Sequence, residues 1–191
     1  MIYETIVSSI DAGGNAHVTP FGVRLQQGLV VISPFKPSRT LDNILATKHA
    51  VLNMTDDVRN FAGALTGREV GALVPTEKIA GFRLSDVLAH KELKLVNVQD
   101  DAVRPQLFLK VVHEAQHQSF QGFNRAQAAV IELAVLVSRL KRLPMEKINQ
   151  EITYLSIAIE KTAGPREQEA WGWLMEAVTN HQAAMNAENL A

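Results

Sequence analysis

Residues 2–10, Ile-Tyr-Glu-Thr-Ile-Val-Ser-Ser-Ile, alternate apolar and polar positions and are rich in β-branched side chains, which predicts a strand. Asp11-Ala12-Gly13-Gly14-Asn15 then offers the left-handed positions of a hairpin turn, and a second strand is expected from 16 to about 25. Gln26-Gln27-Gly28 is the next turn, and Leu29-Val30-Val31-Ile32 is a short apolar run of the kind covered on both faces. Together these predict a three-strand meander. Pro34 and Pro37 stop the sheet, and Ser38 is placed to cap a helix with Leu41, Ile44 and Leu45 on one face. Residues 49–54 return to strand, and a short helix, capped by Thr55 or Asp56, ends at Gly67. Strand-like alternation recurs at 93–98 and 107–117, the latter with Leu107, Leu109 and Val111 on one face; residues 68–90 carry mixed signals and only a loose assignment.

After Gly122 the periodicity changes from two to between three and four. Asn124 can cap a helix of about four turns, Pro144 suits the first turn of another, and Gly164-Pro165 separates that one from a third. Met145, Ile148, Ile152, Leu155 and Ile159 form one stripe, and Trp171, Leu174, Val178 and Met185 another. Such stripes pack helices against each other or against a second copy of the chain. The expected class is therefore α+β, with a β domain over residues 1–121 and a helical domain over 122–191.

Composition narrows the chemistry. The 191 residues are 47% hydrophobic and 20% charged, enough apolar matter for an ordinary folded core. With 19 basic and 20 acidic residues there is no overall positive field to recruit nucleic acid or anionic lipid. A small-molecule partner is expected instead. Cysteine is absent, which removes disulfides, thiolate nucleophiles, cysteine-bound zinc and iron–sulfur clusters, so redox chemistry would need a borrowed cofactor. Glu4 stands where a secretion signal would carry basic residues, and the most apolar stretch, 126–137, is broken by Gln127 and Glu132. A cytoplasmic protein with no membrane span is expected.

Four clusters could carry chemistry. His113-Glu114-Ala115-Gln116-His117 matches the H-E-x-x-H zinc signature of metalloproteases, with Glu132 or Glu146 as a distant third ligand. That chemistry requires a helix, and on a strand the two imidazoles would stand roughly 13 Å apart. The alternation leading in through Val111 and Val112 indicates a strand with polar, solvent-facing residues at its end, so no metal site is expected. Ser38-Arg39-Thr40 opens a helix, where unpaired N–H groups, hydroxyls and a guanidinium suit phosphate. Asn53-Met54-Thr55-Asp56-Asp57 ends a strand with loop carboxylates, and Gly122-Phe123-Asn124-Arg125 presents an arginine at another helix start.

Taken together, 2–10, the glycine turn and Val18-Thr19-Pro20-Phe21-Gly22-Val23 resemble the paired strands beside the flavin in the FMN-binding split β-barrel superfamily of flavin reductase-like and pyridoxamine phosphate oxidase-like proteins. More narrowly, Asn53-Met54-Thr55-Asp56-Asp57, Gly122-Phe123-Asn124-Arg125-Ala126 and Ala129-Val130-Ile131-Glu132 resemble an uncharacterised family of archaea and of bacteria that use tetrahydromethanopterin in one-carbon metabolism. The resemblance implies a split β-barrel followed by a C-terminal helical bundle, a homodimer, and FMN as cofactor. It implies an oxidoreductase acting on an unknown small molecule, with a link to that one-carbon chemistry, or else a flavin carrier or sensor without turnover. By the same resemblance Ser38, Arg39 and Thr40 would hold the phosphate, with Arg125 as a second phosphate residue. Phe21, Gly22 and Val23 would line the ring, and Asn53 and Thr55 its polar edge. The substrate-binding arginine and histidine pattern of the oxidases is lacking.

Overall fold

The computed structural model describes residues 1–188, which form two compact units, one from Met1–Asp56 and Gly71–Phe120, the other from Asp57–Val70 and the chain from Gln121. A division at 121 therefore misses one segment: residues 57–70 group with the C-terminal helices. The last three residues of the expected helical domain, 189–191, lie outside the described residues.

The first unit is a closed, all-antiparallel barrel of six strands. Around it run β1 (Ile2–Ile10), β2 (Ala16–Gln26), β3 (Leu29–Ile32), β8 (Gln106–Gln116), β7 (Ala89–Gln99) and β4 (His49–Met54), with β4 returning to β1. The meander forms as expected. Asp11 organises its first turn by accepting the N–H groups of Gly13 and Asn15, and Gly14 supplies the positive φ of +83°. Helix α1 (Arg39–Thr47) links β3 to β4, and Ser38 caps it by accepting the N–H of Leu41 at 3.3 Å. Leu41 and Ile44 join the barrel core, whereas Leu45, expected on the same face, is exposed.

The core holds Val7, Val23, Val30, Ile32, Ala50, Leu52, Leu93, Leu107 and Leu109, so alternate residues on these strands face outward. Part of that outer face is covered by residues 71–88. Here lie the short strands β5 (Leu73–Pro75) and β6 (Phe82–Leu84), paired to each other in the segment whose sequence signals were mixed. Strand β7 starts at Ala89, four residues before its apolar run, because polar His90 and Glu92 occupy buried positions that a hydropathy pattern does not count as inward.

The second unit consists of α2 (Arg59–Thr66), α3 (Arg125–Val137), α4 (Met145–Thr162) and α5 (Pro165–Glu188). Asn124 caps α3 through its side-chain oxygen, which accepts from Ala126 and Gln127, and Gly67 ends α2 in the left-handed region. The start of α2 differs from expectation: Asp57, not Thr55 or Asp56, accepts the N–H of Arg59 at 3.1 Å. Val58, Ala62, Val130, Leu133, Ala134, Ile148, Ala170, Leu174 and Val178 form this unit's core. In the α5 stripe Leu174 and Val178 are buried, Trp171 is half-buried against them, and Met185 is exposed. Among the described residues no helix is long and apolar enough to cross a membrane.

Candidate functional site

Residues 21–23 lie in β2 opposite Thr5, Glu4 and Tyr3 of β1. Val23 is in the barrel core and Phe21 packs against it, so both side chains turn inward and Gly22 faces out with no side chain. A Cβ at Gly22 would stand 2.8 Å from Ile2 Cγ2 and 3.2 Å from Glu4 Oε1, so any larger residue here would push against these two side chains. Asn53 of β4 flanks β1 from the other side, because Ile6 pairs with both Pro20 and Asn53. Its buried amide is spent inside the wall: Nδ2 donates to the Ile6 carbonyl and the Ser8 hydroxyl, and Oδ1 accepts from Leu84 N–H at 2.9 Å. Thr55 follows in the loop after β4, half-buried.

At the start of α1, Ser38 is committed to its cap and Thr40 is buried, while the N–H groups of Arg39 and Thr40 precede the first intrahelical bond, Asp42 N–H to the Ser38 carbonyl. The Arg39 side chain is 55% exposed and its guanidinium stands 3.9 Å from Asp11, at the tip of the β1–β2 hairpin. The helix and hairpin meet there, with Asn43 Nδ2 donating to Ser9 Oγ. Arg39 also bears on His17, whose imidazole is held below its ordinary pKa first by burial and then by that positive charge. The barrel thus brings Ser38, Arg39 and Thr40 to the end of the strands carrying 21–23. Arg125 belongs to the helical unit, at the start of α3, beside a cavity of about 250 Å³ that Glu132 and Tyr154 also line.

Sequence reasoning did not single out two other arginines. Arg24, facing outward beyond Gly22, and Arg104, before β8, line a cavity of about 210 Å³ together with Ile2, Gly22, Ser33 and Gln106. Arg24 Nη2 donates to Gln106 Oε1 at 2.7 Å and Ser33 Oγ at 3.3 Å; Arg104 Nε donates to the Ser33 carbonyl at 3.1 Å and stacks over Phe35. They meet only because β3 bridges β2 and β8. The outward phase of Arg24, two positions from Gly22, was the available signal. Two guanidiniums with a hydroxyl and an amide suit an anionic group.

A further cluster lies on the outer face of β7 and β8. Residues 113–116 of the H-E-x-x-H motif are on strand β8, as their context indicates, and His117 follows its end, but His113 is not solvent-facing. Its Nε2 is buried. The register opposes Glu92 to His113 and then Leu93 to Val111, leaving Val112 as an extra residue in β8. This bulge turns His113 to the outer face, where Glu92 stands. His90, on the same face of β7, stacks its ring on His117 at 5.1 Å and lies 5.7 Å from the ring of His113. Glu92 accepts three backbone N–H bonds, from Glu77, Lys78 and Ile79, at 2.6–3.0 Å. Burial pushes the Glu92 carboxyl upward, but these N–H groups and His90 outweigh it and hold the group below its usual range. Burial likewise lowers His90, against the opposing pull of Glu92. Glu114 turns away, exposed and paired with Lys91 at 2.9 Å.

The sequence matches two family models, the N-terminal domain of a protein of unknown function, DUF447, over residues 3–118, and the DUF447 C-terminal model over 124–176. No curated protein matches. Among solved structures, the FMN-bound protein MM1853 of Methanosarcina mazei, of the same family, superposes with a TM-score of 0.79 at 21% identity, covering 92% of this chain and 94% of that one. The 2-nitrobenzoate 2-nitroreductase NbaA of Pseudomonas fluorescens gives 0.52 at 23% identity over 60% of this chain and 64% of its own. The NADH:FAD oxidoreductase SgcE6 of Streptomyces globisporus gives 0.52 at 11% over 61% and 77%. These likenesses establish the fold as a flavin reductase-like split barrel. With its two models covering most of the sequence, the chain belongs to the DUF447 family.

Proposed function

We propose that this protein binds FMN on the outer face of the barrel and serves as an oxidoreductase for a small molecule. The observation that carries this reading is the cavity that Gly22, without a side chain, lines beside concentrated positive charge: Arg24 and Arg104 in its wall, and Arg39 with the first N–H groups of α1 toward the hairpin end of the same strands. A planar ring needs bare backbone, and a phosphate dianion needs convergent donors. The FMN-bound structure of MM1853 and the reductase activities of NbaA and SgcE6 support the same assignment. Bound FMN would supply the redox step itself. The chain's part is to orient the ring along 21–23, to neutralise the phosphate through Ser38, Arg39 and Thr40, and to present a polar group near its edge from Thr55, while Asn53, expected at that edge too, does not reach it. Because the Asn53 amide is already satisfied within the wall, its contribution is to fix β4 against β1.

The cavity of about 210 Å³ falls below the roughly 300–1,000 Å³ of a complete cofactor pocket. We therefore propose a homodimer in which a second copy completes the site. Exposed Ile2, Tyr3, Leu25 and Phe35 supply apolar surface for it. In this scheme the unit of Met1–Asp56 and Gly71–Phe120 acts as the flavin-binding domain, residues 57–70 and the chain from Gln121 as the helical domain, and Arg125 as a second phosphate residue. A role in tetrahydromethanopterin-linked one-carbon metabolism is proposed on the family resemblance.

Arg39→Ala tests the assignment. The charge-assisted bonds it removes are worth roughly 1.5–3 kcal/mol, so FMN affinity should fall about tenfold or more while riboflavin, lacking the phosphate, changes much less. Equal losses for both flavins would move Arg39 away from the phosphate. Bleaching of the bound flavin by NADH or NADPH and reoxidation by an added acceptor distinguish an oxidoreductase from a flavin carrier.

A further inference from the structure

We propose that His90, Glu92 and His113 form a binding site for a divalent transition-metal ion of the zinc type, built on adjacent strands and independent of the flavin reading. One ligand atom from each of the three residues lies within 4.8 Å of the other two. Around a tetrahedral ion with bonds near 2.0–2.1 Å, ligand atoms are about 3.4 Å apart, so closing the site requires movements on the order of an ångström.

Two of the donors lack a hydrogen-bond partner. His90 is 0% exposed, yet its Nε2 faces Glu92 Oε1 at 3.6 Å, beyond hydrogen-bond distance. Nε2 of His113 is also buried and unpartnered, with Glu77 Oε2 at 3.4 Å but out of line for a hydrogen bond. A buried polar atom left in this state costs free energy. Here two such atoms and a carboxylate converge.

The surroundings also match those of a metal ligand. Nδ1 of His90 is 2.9 Å from Nε2 of His117, and one of these nitrogens must donate. If His90 donates, its Nε2 is a bare lone pair aimed at an anionic oxygen, an arrangement that a cation between them resolves. Orientation of a ligating imidazole through its other nitrogen is the usual support of a metal site. Glu92 is fixed by the three N–H groups of 77–79 and keeps a lone pair on Oε1, which accepts only one of those bonds. Two imidazole nitrogens and one carboxylate oxygen favour zinc, cobalt or iron over magnesium or calcium. The His113 side chain is 22% exposed, which gives the ion a path in, and Glu77 or water stands ready for a fourth position. This is not the H-E-x-x-H arrangement: only His113 of that motif is a ligand, His117 acts through His90, and Glu114 points elsewhere.

The test uses the full-length protein, stripped with EDTA, exchanged into chelator-free buffer and titrated with Co²⁺ while its visible absorption is recorded, then with Zn²⁺ in competition. One equivalent of cobalt with intense tetrahedral-type bands, displaced by one equivalent of zinc, is expected. His113→Ala should weaken cobalt binding at least a hundredfold and abolish the bands. His117→Gln, which removes only the orienting bond to His90, should weaken it about 10–100-fold. Glu114→Gln should leave binding unchanged. Circular dichroism checks that each variant folds, and a zinc-dependent rise in the Tm of the unaltered protein reads the site without any substitution. Absence of stoichiometric binding and of that Tm rise, or binding that survives His113→Ala, would overturn the proposal. Loss on Glu114→Gln equal to that on His113→Ala would overturn this ligand set in favour of the motif pair.

Discussion

The two units bury carboxylates in different ways. In the helical unit, Asp57 forms an ion pair with Arg59 at 2.6 Å and has Arg166 at 3.8 Å, and Glu167 accepts Gly164 N–H at 2.9 Å and Gln127 Nε2 at 3.3 Å. Among the described residues no guanidinium or ammonium forms an ion pair with Glu92 of the barrel; peptide N–H groups hold it, and an imidazole stands opposite. An ion pair with arginine is complete in itself. A carboxylate fixed by backbone and facing open imidazole nitrogens has capacity left over. The contrast separates a buried charge that serves the fold from one available to a ligand.

The largest expected effects set a common scale for the two cores. Leu109→Ala in the barrel and Leu174→Ala in the bundle each remove a fully buried side chain, and each should cost about 2–5 kcal/mol in urea unfolding. Hydrogen exchange should locate the first loss in the strands and the second in the helices. A smaller change at either position would mean that its core collapses to fill the space.

Next come the carboxylates themselves. In metal-free protein Glu92→Gln turns an amide N–H₂ toward backbone donors and should cost about 2–4 kcal/mol by urea unfolding. Asp57→Asn should cost about 1–2 kcal/mol at pH 7. Burial raises the Asp57 pKa, but the hydrogen bonds and charge of Arg59, with Arg166, outweigh it and leave the group below the ordinary 3.8. Its stabilisation is therefore complete above the unfolded value and disappears as pH falls through the folded one. The gap between Asp57→Asn and the unaltered protein should accordingly shrink in urea titrations below about pH 4. A gap that persists at pH 2 would show that Asp57 acts through shape and not charge.

The smallest pair compares helix caps. Ser38→Ala and Asn124→Ala should each lower stability by about 1 kcal/mol, with Asn124→Ala the more costly because its oxygen accepts two N–H bonds and its Nδ2 reaches the Thr162 carbonyl. Thermal unfolding of both variants checks the order.

What could be read in the sequence follows from how strongly each element depends on local signals. Strands β1 and β2 carry an alternating pattern, β3 is a short apolar run, and glycine or proline residues bound these three, so their limits were visible; so were the caps at Ser38 and Asn124. The β5–β6 pair has three residues per strand, too few for any period, and β7 begins with buried polar residues that imitate a loop. Within the candidate flavin site, residues 21–23 and 38–40 lie in contiguous segments, but the meeting of Arg24 with Arg104 depends on strand order. Similarly, His113 and His117 were conspicuous while His90 was not. Its place between them depends on a cross-strand register that no single segment carries.

Val112 has one more consequence. Leu107, Leu109 and Val111 face the barrel core, and His113, at the next odd position, faces the opposite side only because this residue is supernumerary. The strand is thus two half-strands set in antiphase by a single codon. Were Val112 taken into the ladder as a regular pair, His113 would turn toward the barrel interior and Glu114 toward the outer face, whereas deleting Val112 would leave His113 opposite Glu92 on a regular strand. Substitutions along β8 alter one side chain each, whereas the way this one residue is paired decides which side of the barrel wall half the strand presents.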